Sequence, residues 1–207
     1  ESDSAIALTG LAQSYLSEME AGLGLGVQSV ALAEQAIARA LAVAPDYLPA
    51  QCLTGHVLRE RGDPEGALRV YQKVVAANPS DAWSHARIGA MKLSLGRAEE
   101  VATHTDAAMR LSPFETALVG YSHFHAGAAE YDLGREDAAY ERMRQSAAVG
   151  PHPMQYAAFF WLASLDALHM PHRSFACGRT GPSTCGESGP RRCIPGFKLA
   201  GNGLTRG

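Results

Sequence analysis

The sequence predicts an all-α protein, a solenoid of stacked helix pairs, and three observations carry that expectation. Pro45, Pro79 and Pro113 recur at a step of 34 residues, and Pro151 follows after 38. Gly62, Gly96 and Gly134 form a second series with the same two steps, 34 and then 38. Within each period the apolar residues fall three and four apart, which is the spacing of one helix face and not the alternation of a strand. Two independent markers that share one period and one slip identify an internal repeat, the sequence mark of a solenoid.

The chain of 207 residues divides into an array at 1–170 and a tail at 171–207. The array is read as units at about 5–45, 48–79, 82–113 and 116–151, with an extra helix at 154–169. In the first unit, Leu8, Leu11, Ala12 and Tyr15 supply one helix, while Ala33, Ile37, Ala40 and Pro45 supply and close the next. A longer connection holding Gly22, Leu23, Gly24, Leu25 and Gly26 joins them. The second unit is the clearest. Gly55 and Leu58 share a face of its first helix, and Ala67, Tyr71 and Val74 share a face of its second. Between them, Gly62 suits a left-handed position past a helix end, Asp63 an N-cap and Pro64 the first helical position. Asn78 before Pro79 ends the second helix, because the residue before proline is pushed out of the α region. The third unit repeats this with Ile88, Gly89, Gly96, Val101, Ala108 and Pro113, and the fourth with Gly127, Gly134, Ala139, Met143 and Pro151. Asp132, Glu136 and Asp137 are expected to cap the last helix of the fourth unit and favour its positive end. Gly55, Gly89 and Gly127 are expected to face Ala67, Val101 and Ala139 where the two helices of each pair cross.

These residues resemble the tetratricopeptide repeat (TPR) family, and the resemblance covers about residues 5 to 170. The pattern of a small residue in the first helix, Ala early in the second and a closing Pro is met by Gly55, Ala67, Tyr71 and Pro79. The first unit departs from it in its long connection. The resemblance implies a right-handed α-solenoid of four TPR helix pairs plus an extra helix, with an irregular C-terminal tail. It also implies a concave wall built from the first helices. A weaker likeness rests on Leu111, Ser112, Pro113 and Phe114, on the stretched fourth unit and on the long first connection. It is to TPR regions attached to bacterial adenylate cyclase-like and winged-helix regulatory proteins, which implies a sensory or scaffolding segment of a larger protein.

The end of the array is unusual. Phe159, Phe160, Trp161, Leu162, Leu165 and Leu168 make the extra helix apolar over most of its circumference, and a terminal solenoid helix of that kind needs a cover. From Pro171 onward the composition turns to Gly, Pro and Arg with the single acid Glu187. Three readings stand for this tail: a non-native or flexible extension such as a shifted reading frame, a flexible basic arm, or a zinc site of His169, His172, Cys177, Cys185 and Cys193. Spacings of eight between consecutive cysteines lack the paired knuckles of structural zinc, so the first is preferred and no metal or cofactor is expected. Cys52, isolated in the array, reads as a small buried hydrophobe of a reducing compartment, hence a cytoplasmic chain.

Composition narrows the function. Eighteen Lys and Arg against 21 Asp and Glu give a net charge of −3, with no long basic run to attract nucleic acid or an anionic membrane. No apolar run reaches the roughly 18 residues of a membrane span. The first ten residues, ESDSAIALTG, contain neither a leader nor an initiator Met, so the chain reads as a cut from a longer protein. No phosphate-binding loop, zinc-protease helix or nucleophile elbow occurs, and the glycines at 22, 24 and 26 follow no strand. His123 and His125, two apart, point to different helix faces, a poor arrangement for one metal. An enzyme is therefore not expected.

The expected site is a surface. With Gly55, Gly89 and Gly127 on the packed face, the helical period turns another set into the groove: Cys52, His56 and Arg59 in the second unit, Trp83 and Arg87 in the third, and Tyr121, Phe124, His125 and Tyr131 in the fourth. Ala86, Ala90, Ala128, Thr9, Gln13 and Leu16 accompany them. Aromatics beside Arg are the combination that dominates binding hot spots. For Trp83, Tyr121 and Phe124 the competing reading is that they fill space between neighbouring units. The Lys and Asn of TPR clamps for chaperone C-termini are missing, yet Arg59 and Arg87 suit an acidic peptide. The leading expectation is a non-enzymatic scaffold that holds a peptide or helix. A second is the regulatory segment implied by the weaker likeness, and a third is self-association through residues 154–169.

Overall fold

A computed structural model describes residues 4–20, 27–149 and 154–169. The glycine-rich connection at 21–26, the prolines at 151 and 153, and the whole of the 171–207 tail, with its extension, arm and zinc readings, lie outside the described residues. The residues described up to His169 belong to one compact unit made of helices.

In chain order the helices are α1 (Ala5–Glu20), α2 (Val27–Val43), α3 (Leu48–Glu60), α4 (Pro64–Ala77) and α5 (Ala82–Ser94). They continue as α6 (Val101–Leu111), after a 3₁₀ turn at Ala98–Glu100, then α7 (Thr116–Asp132), α8 (Glu136–Ala148) and α9 (Gln155–His169). The expected punctuation is in place. Gly62, Gly96 and Gly134 take φ of 78°, 72° and 73°, the left-handed turn that a Cβ would strain. Asp63 accepts a hydrogen bond from the Gly66 amide at 2.8 Å and so caps α4, with Pro64 at its first position. The helix α8 differs from expectation. Its N-cap is Arg135 and no side chain caps it, so Glu136 and Asp137 place their charge in the first turn without capping it.

The slip in the repeat has a physical form. The helix α7 has 17 residues where α3 and α5 each have 13. An insertion of about one turn leaves the downstream residues nearly in register with the face they belong to.

Consecutive helices, α1 with α2, α3 with α4, α5 with α6 and α7 with α8, pack as hairpins, and each hairpin packs on the next. First helices also reach each other: α1 lies against α3 and α5 against α7. Among the described residues, second helices make no comparable contact, and neither do α3 and α5, so the first helices close on each other at the two ends of the stack rather than along all of it. The interior is filled by Leu16, Tyr71, Val74, Ile88, Val101, Leu118 and Met143, each essentially inaccessible. Full burial of one such apolar side chain contributes about 1.5–3 kcal/mol.

The crossing points correct one expectation. A Cβ on Gly55 would meet the Tyr71 ring at 2.6 Å, one on Gly89 the Thr105 methyl at 2.8 Å, and one on Gly127 Arg142 and Met143 at 3.1 Å. The glycines therefore face Tyr71, Thr105 and Met143, one turn further along the second helix than Ala67, Val101 and Ala139. Side chains in helices lean back toward the N-terminus, so the space over a glycine is filled from a residue placed later in its partner.

Candidate functional site

The first-helix wall carries a connected group of side chains drawn from three hairpins. At its centre is the half-buried Arg87 of α5. Its Nη1 donates to the Cys52 Sγ of α3 at 3.0 Å, and its guanidinium carbon lies 5.2 Å from the Trp83 ring centre and 5.9 Å from that of Tyr71. Both separations fall within the roughly 6 Å range of a cation–π contact. Cys52, a free thiol, also meets the Ser84 hydroxyl at 3.5 Å, and that hydroxyl donates to Asp81 at 2.8 Å.

From Trp83 the group runs on to α7. The Trp83 indole N–H donates to the Glu115 carboxylate at 2.6 Å, and the ring stands edge-on to Tyr121 at 5.8 Å. Tyr121 lies 4.1 Å from His125, which meets Phe124 at 5.3 Å. The His125 Nδ1 is 2.9 Å from the Tyr121 carbonyl, so that nitrogen carries the proton and donates. Burial, aided by the Arg59 charge, lowers the His125 pKa to about 4, so the ring is neutral near pH 7.

On the α3 side, Arg59 pairs with Glu60 and donates to the His56 Nε2 at 2.6 Å. A guanidinium only donates, which fixes that nitrogen as the acceptor. Beneath Arg87 lies Tyr71 of α4, 0% exposed, the hydroxyl end of its ring set over Gly55. Burial raises its pKa well above the usual tyrosine range, against the pull of Arg87 and Arg59.

The nine residues expected in the groove thus divide. Cys52, Trp83, Arg87, Tyr121 and His125 are brought together, with Arg59 and His56 beside them. Phe124 touches His125 but also packs into the core formed with Ala128, Met143, Ala158 and Trp161. Tyr131 is spent elsewhere: its ring meets Trp161 of α9 edge-on at 5.0 Å. Three of the nine are interior rather than presented, with exposures of 7% for Cys52, 1% for His56 and 7% for Tyr121. Ala86, Ala90, Ala128, Thr9 and Leu16 are buried in the same way, whereas Gln13 is exposed. A first helix is gripped by its own partner and by the neighbouring hairpins, so the face opposite the glycine is covered too.

Two participants were missed. Tyr71 reads in sequence as a packing residue, and Glu115 lies outside the first-helix period. The only signal for Glu115 is its step of 32 residues from Trp83, close to the repeat length.

Among the described residues no three His, Cys, Asp or Glu stand close enough to hold a metal ion, and no helix is long and apolar enough to cross a membrane. At the far end, α9 buries Ala158 and leaves Tyr156, Phe159 and Phe160 exposed.

No family model matches the sequence, and no curated protein is similar to it in sequence. Similar folds occur among solved structures. MamA RS-1, as the ArsTM double mutant, has a TM-score of 0.59 at 16% identity, over 84% of this chain and 89% of that one. The thermophilic TPR protein TTC0263 of Thermus thermophilus has a TM-score of 0.60 at 20% identity, over 77% and 83%. A mutant O-GlcNAc transferase of Thermobaculum terrenum has 0.55 at 23% identity, over 71% of this chain but 27% of the transferase. With hairpins stacked in series, a left-handed glycine turn inside each of three of them and these neighbours, the chain has the fold of a tetratricopeptide repeat solenoid.

Proposed function

We propose that the chain is a non-enzymatic protein-interaction scaffold that takes a peptide or helix of another protein along the wall built from α3, α5 and α7. The observation that carries this reading is the continuous row from the Arg87 cation to the Trp83 ring and, through the largely buried Tyr121, to the His125 ring, which crosses from one repeat to the next. Large, stiff rings with a forked cation give contact area at low cost in conformational entropy. The neutral His125 ring adds an amphipathic surface without adding charge.

The test is capture from a peptide library by the chain carrying its α9 helix, followed by affinity measurement on the selected peptide. Trp83→Ala weakens that peptide about tenfold or more, while folding stability falls by less than about 1 kcal/mol. Trp83→Phe, which keeps ring packing, weakens it less. Collapse of the fold with Trp83→Ala, or unchanged affinity, counts against this wall as the binding surface.

A second reading has its own observation. Phe160 is 75% exposed and Phe159 51% exposed on the outer face of α9, beside Tyr156. Contiguous exposed aromatics mark interaction sites, and this face supports self-association through residues 154–169. Sedimentation velocity decides it: a single monomeric boundary at micromolar concentration removes the second reading.

A further inference from the structure

We propose that His85 and His104 form a two-histidine site for one divalent transition-metal ion. The site ties α5 to α6 within one hairpin and stands apart from the scaffold reading, which uses neither ring. The two residues are 19 apart in sequence, a separation that carries no ligand motif.

The separation of the rings is the first observation. The Nδ1 atoms of His85 and His104 lie 3.3 Å apart, with ring centres 5.6 Å apart and planes inclined by 30°. Zinc–imidazole bonds of about 2.0–2.1 Å at a tetrahedral angle place two ligand nitrogens roughly 3.3–3.4 Å apart. The two nitrogens thus stand at the spacing of a pair on one ion. The rings meet nearly head-on, so each turns by roughly 35° to aim at an ion beside the line joining them. The second torsion of histidine is broad enough to allow that turn.

The second observation is the tautomer. The His85 Nε2 lies 3.2 Å from the Pro79 carbonyl, which only accepts, so Nε2 carries the proton and donates. In the neutral ring this leaves the Nδ1 lone pair aimed at His104. Metal-bound histidines almost always hold their other nitrogen on a carbonyl, carboxylate or water in this way. With no ion, His104 donates its Nδ1 proton across the gap. An arriving ion takes the place of that proton, which moves through water to the His104 Nε2. Both rings stay neutral and no proton is released.

The surroundings single out this pair. His56 Nε2 accepts from Arg59, His123 Nδ1 lies 3.4 Å from the Arg142 guanidinium, and His125 Nδ1 donates to the Tyr121 carbonyl. His85 and His104 are each half-buried and open to solvent in part. The Lys92 ammonium near His104 would repel an ion, but it is paired with Glu100. Among the described residues no third His, Cys, Asp or Glu joins the two rings, so water fills the remaining positions. Imidazole suits zinc, copper(II) and nickel, whereas magnesium and calcium take oxygen.

The experiment is a zinc titration of the full chain at about pH 7.5, where imidazole is neutral. It is read from the ring-nitrogen NMR signals of each histidine, with magnesium as the control. We expect the Nδ1 signals of His85 and His104 to move together and saturate, while those of His56, His123 and His125 stay. His104→Gln lowers the zinc affinity at His85 about tenfold or more, and His85→Gln does the same at His104, since even a group that only orients a ligand is worth that much. Magnesium moves neither ring. Rings joined only by a hydrogen bond give no joint response. An absent zinc shift, a shift of one ring alone, unchanged affinity in the single variants or an equal response to magnesium each overturns the proposal. If His85→Gln fails to fold, His104→Gln decides. Because the signals belong to the two rings, zinc held by the cysteines of the 171–207 tail does not register.

Discussion

The two walls of the solenoid are both helical, but they are held in different ways. The second helices α6 and α8 each bury one stripe, Val101, Thr105 and Ala108 in α6 and Ala139, Met143 and Ser146 in α8, and α4 buries Ala67, Tyr71 and Val74 with Gly66 and Leu68 at its start. The first helices α5 and α7 bury longer runs in succession, Ile88 to Lys92 and Ala126 to Ala129, whereas α1 buries only Leu8, Thr9, Ala12 and Leu16. Successive buried residues mean that more than one face is covered. A helix gripped from two sides needs Ala, Gly and Ser to let its neighbours close in, and its few large side chains meet residues of other repeats. The comparison teaches that the connected rings and the Arg87 cation belong to the first wall, while the second supplies their support, Tyr71 above all.

Four changes break or sharpen that contrast. The largest effect belongs to Gly55→Ala. The new methyl would stand 2.6 Å from the Tyr71 Cε1, and that ring is closed in on all sides. The substitution is expected to cost about 1–3 kcal/mol, read from chemical denaturation. A loss of a few tenths would mean that α3 and α4 are looser than their separation implies.

Acid comes next. His125 and His123 on α7, and His104 on α6, are each lowered to about 4 from the usual 6.5, mainly by burial. Such groups are neutral in the folded chain, while the unfolded chain takes up protons as pH falls below 6.5. Stability is therefore full above that value and declines as pH falls from 6.5 toward 4. Thermal midpoints measured at pH 7, 6 and 5 should fall in that order, and His125→Gln should flatten the slope. A flat profile in the parent chain would show that water reaches the first wall.

Asp63→Ala tests the second wall. Among the caps described for α3 to α8, that of α4 alone is made by a side chain. Its loss should cost about 1 kcal/mol and speed amide exchange in the first turn of α4, with α5 unchanged. The smallest effect is a gain. Gly10 in α1 has nothing within 4 Å of an added Cβ, so Gly10→Ala should stabilise by about 0.5–1 kcal/mol through helix propensity. The opposite signs expected at Gly10 and Gly55, both helical, separate an idle glycine from one that holds two helices together.

Much of this was legible in the residues. Gly62, Gly96 and Gly134 mark turns because a positive φ suits glycine, and the prolines at 79 and 113 follow helix ends because the residue before proline leaves the α region. The lengthened repeat was visible too, though not that the extra residues form one turn of α7. The grouping of the side chains expected in the groove was legible in part. Trp83, Arg87, Tyr121 and His125 do meet, but Tyr131 turns to Trp161 and His56 sinks from view.

The sequence by itself determined the period, the hairpin boundaries and the main apolar stripe of the second helices. All of these are local: φ preference, proline sterics and the pitch of one helix act within a few residues. Only the tertiary structure decided which first-helix residues remained accessible, which partner residue filled the space over each glycine, and that the ring nitrogens of His85 and His104 meet. A helix's pitch locates a face relative to its own axis, whereas the number of neighbours on that face is set by the hairpins stacked on either side.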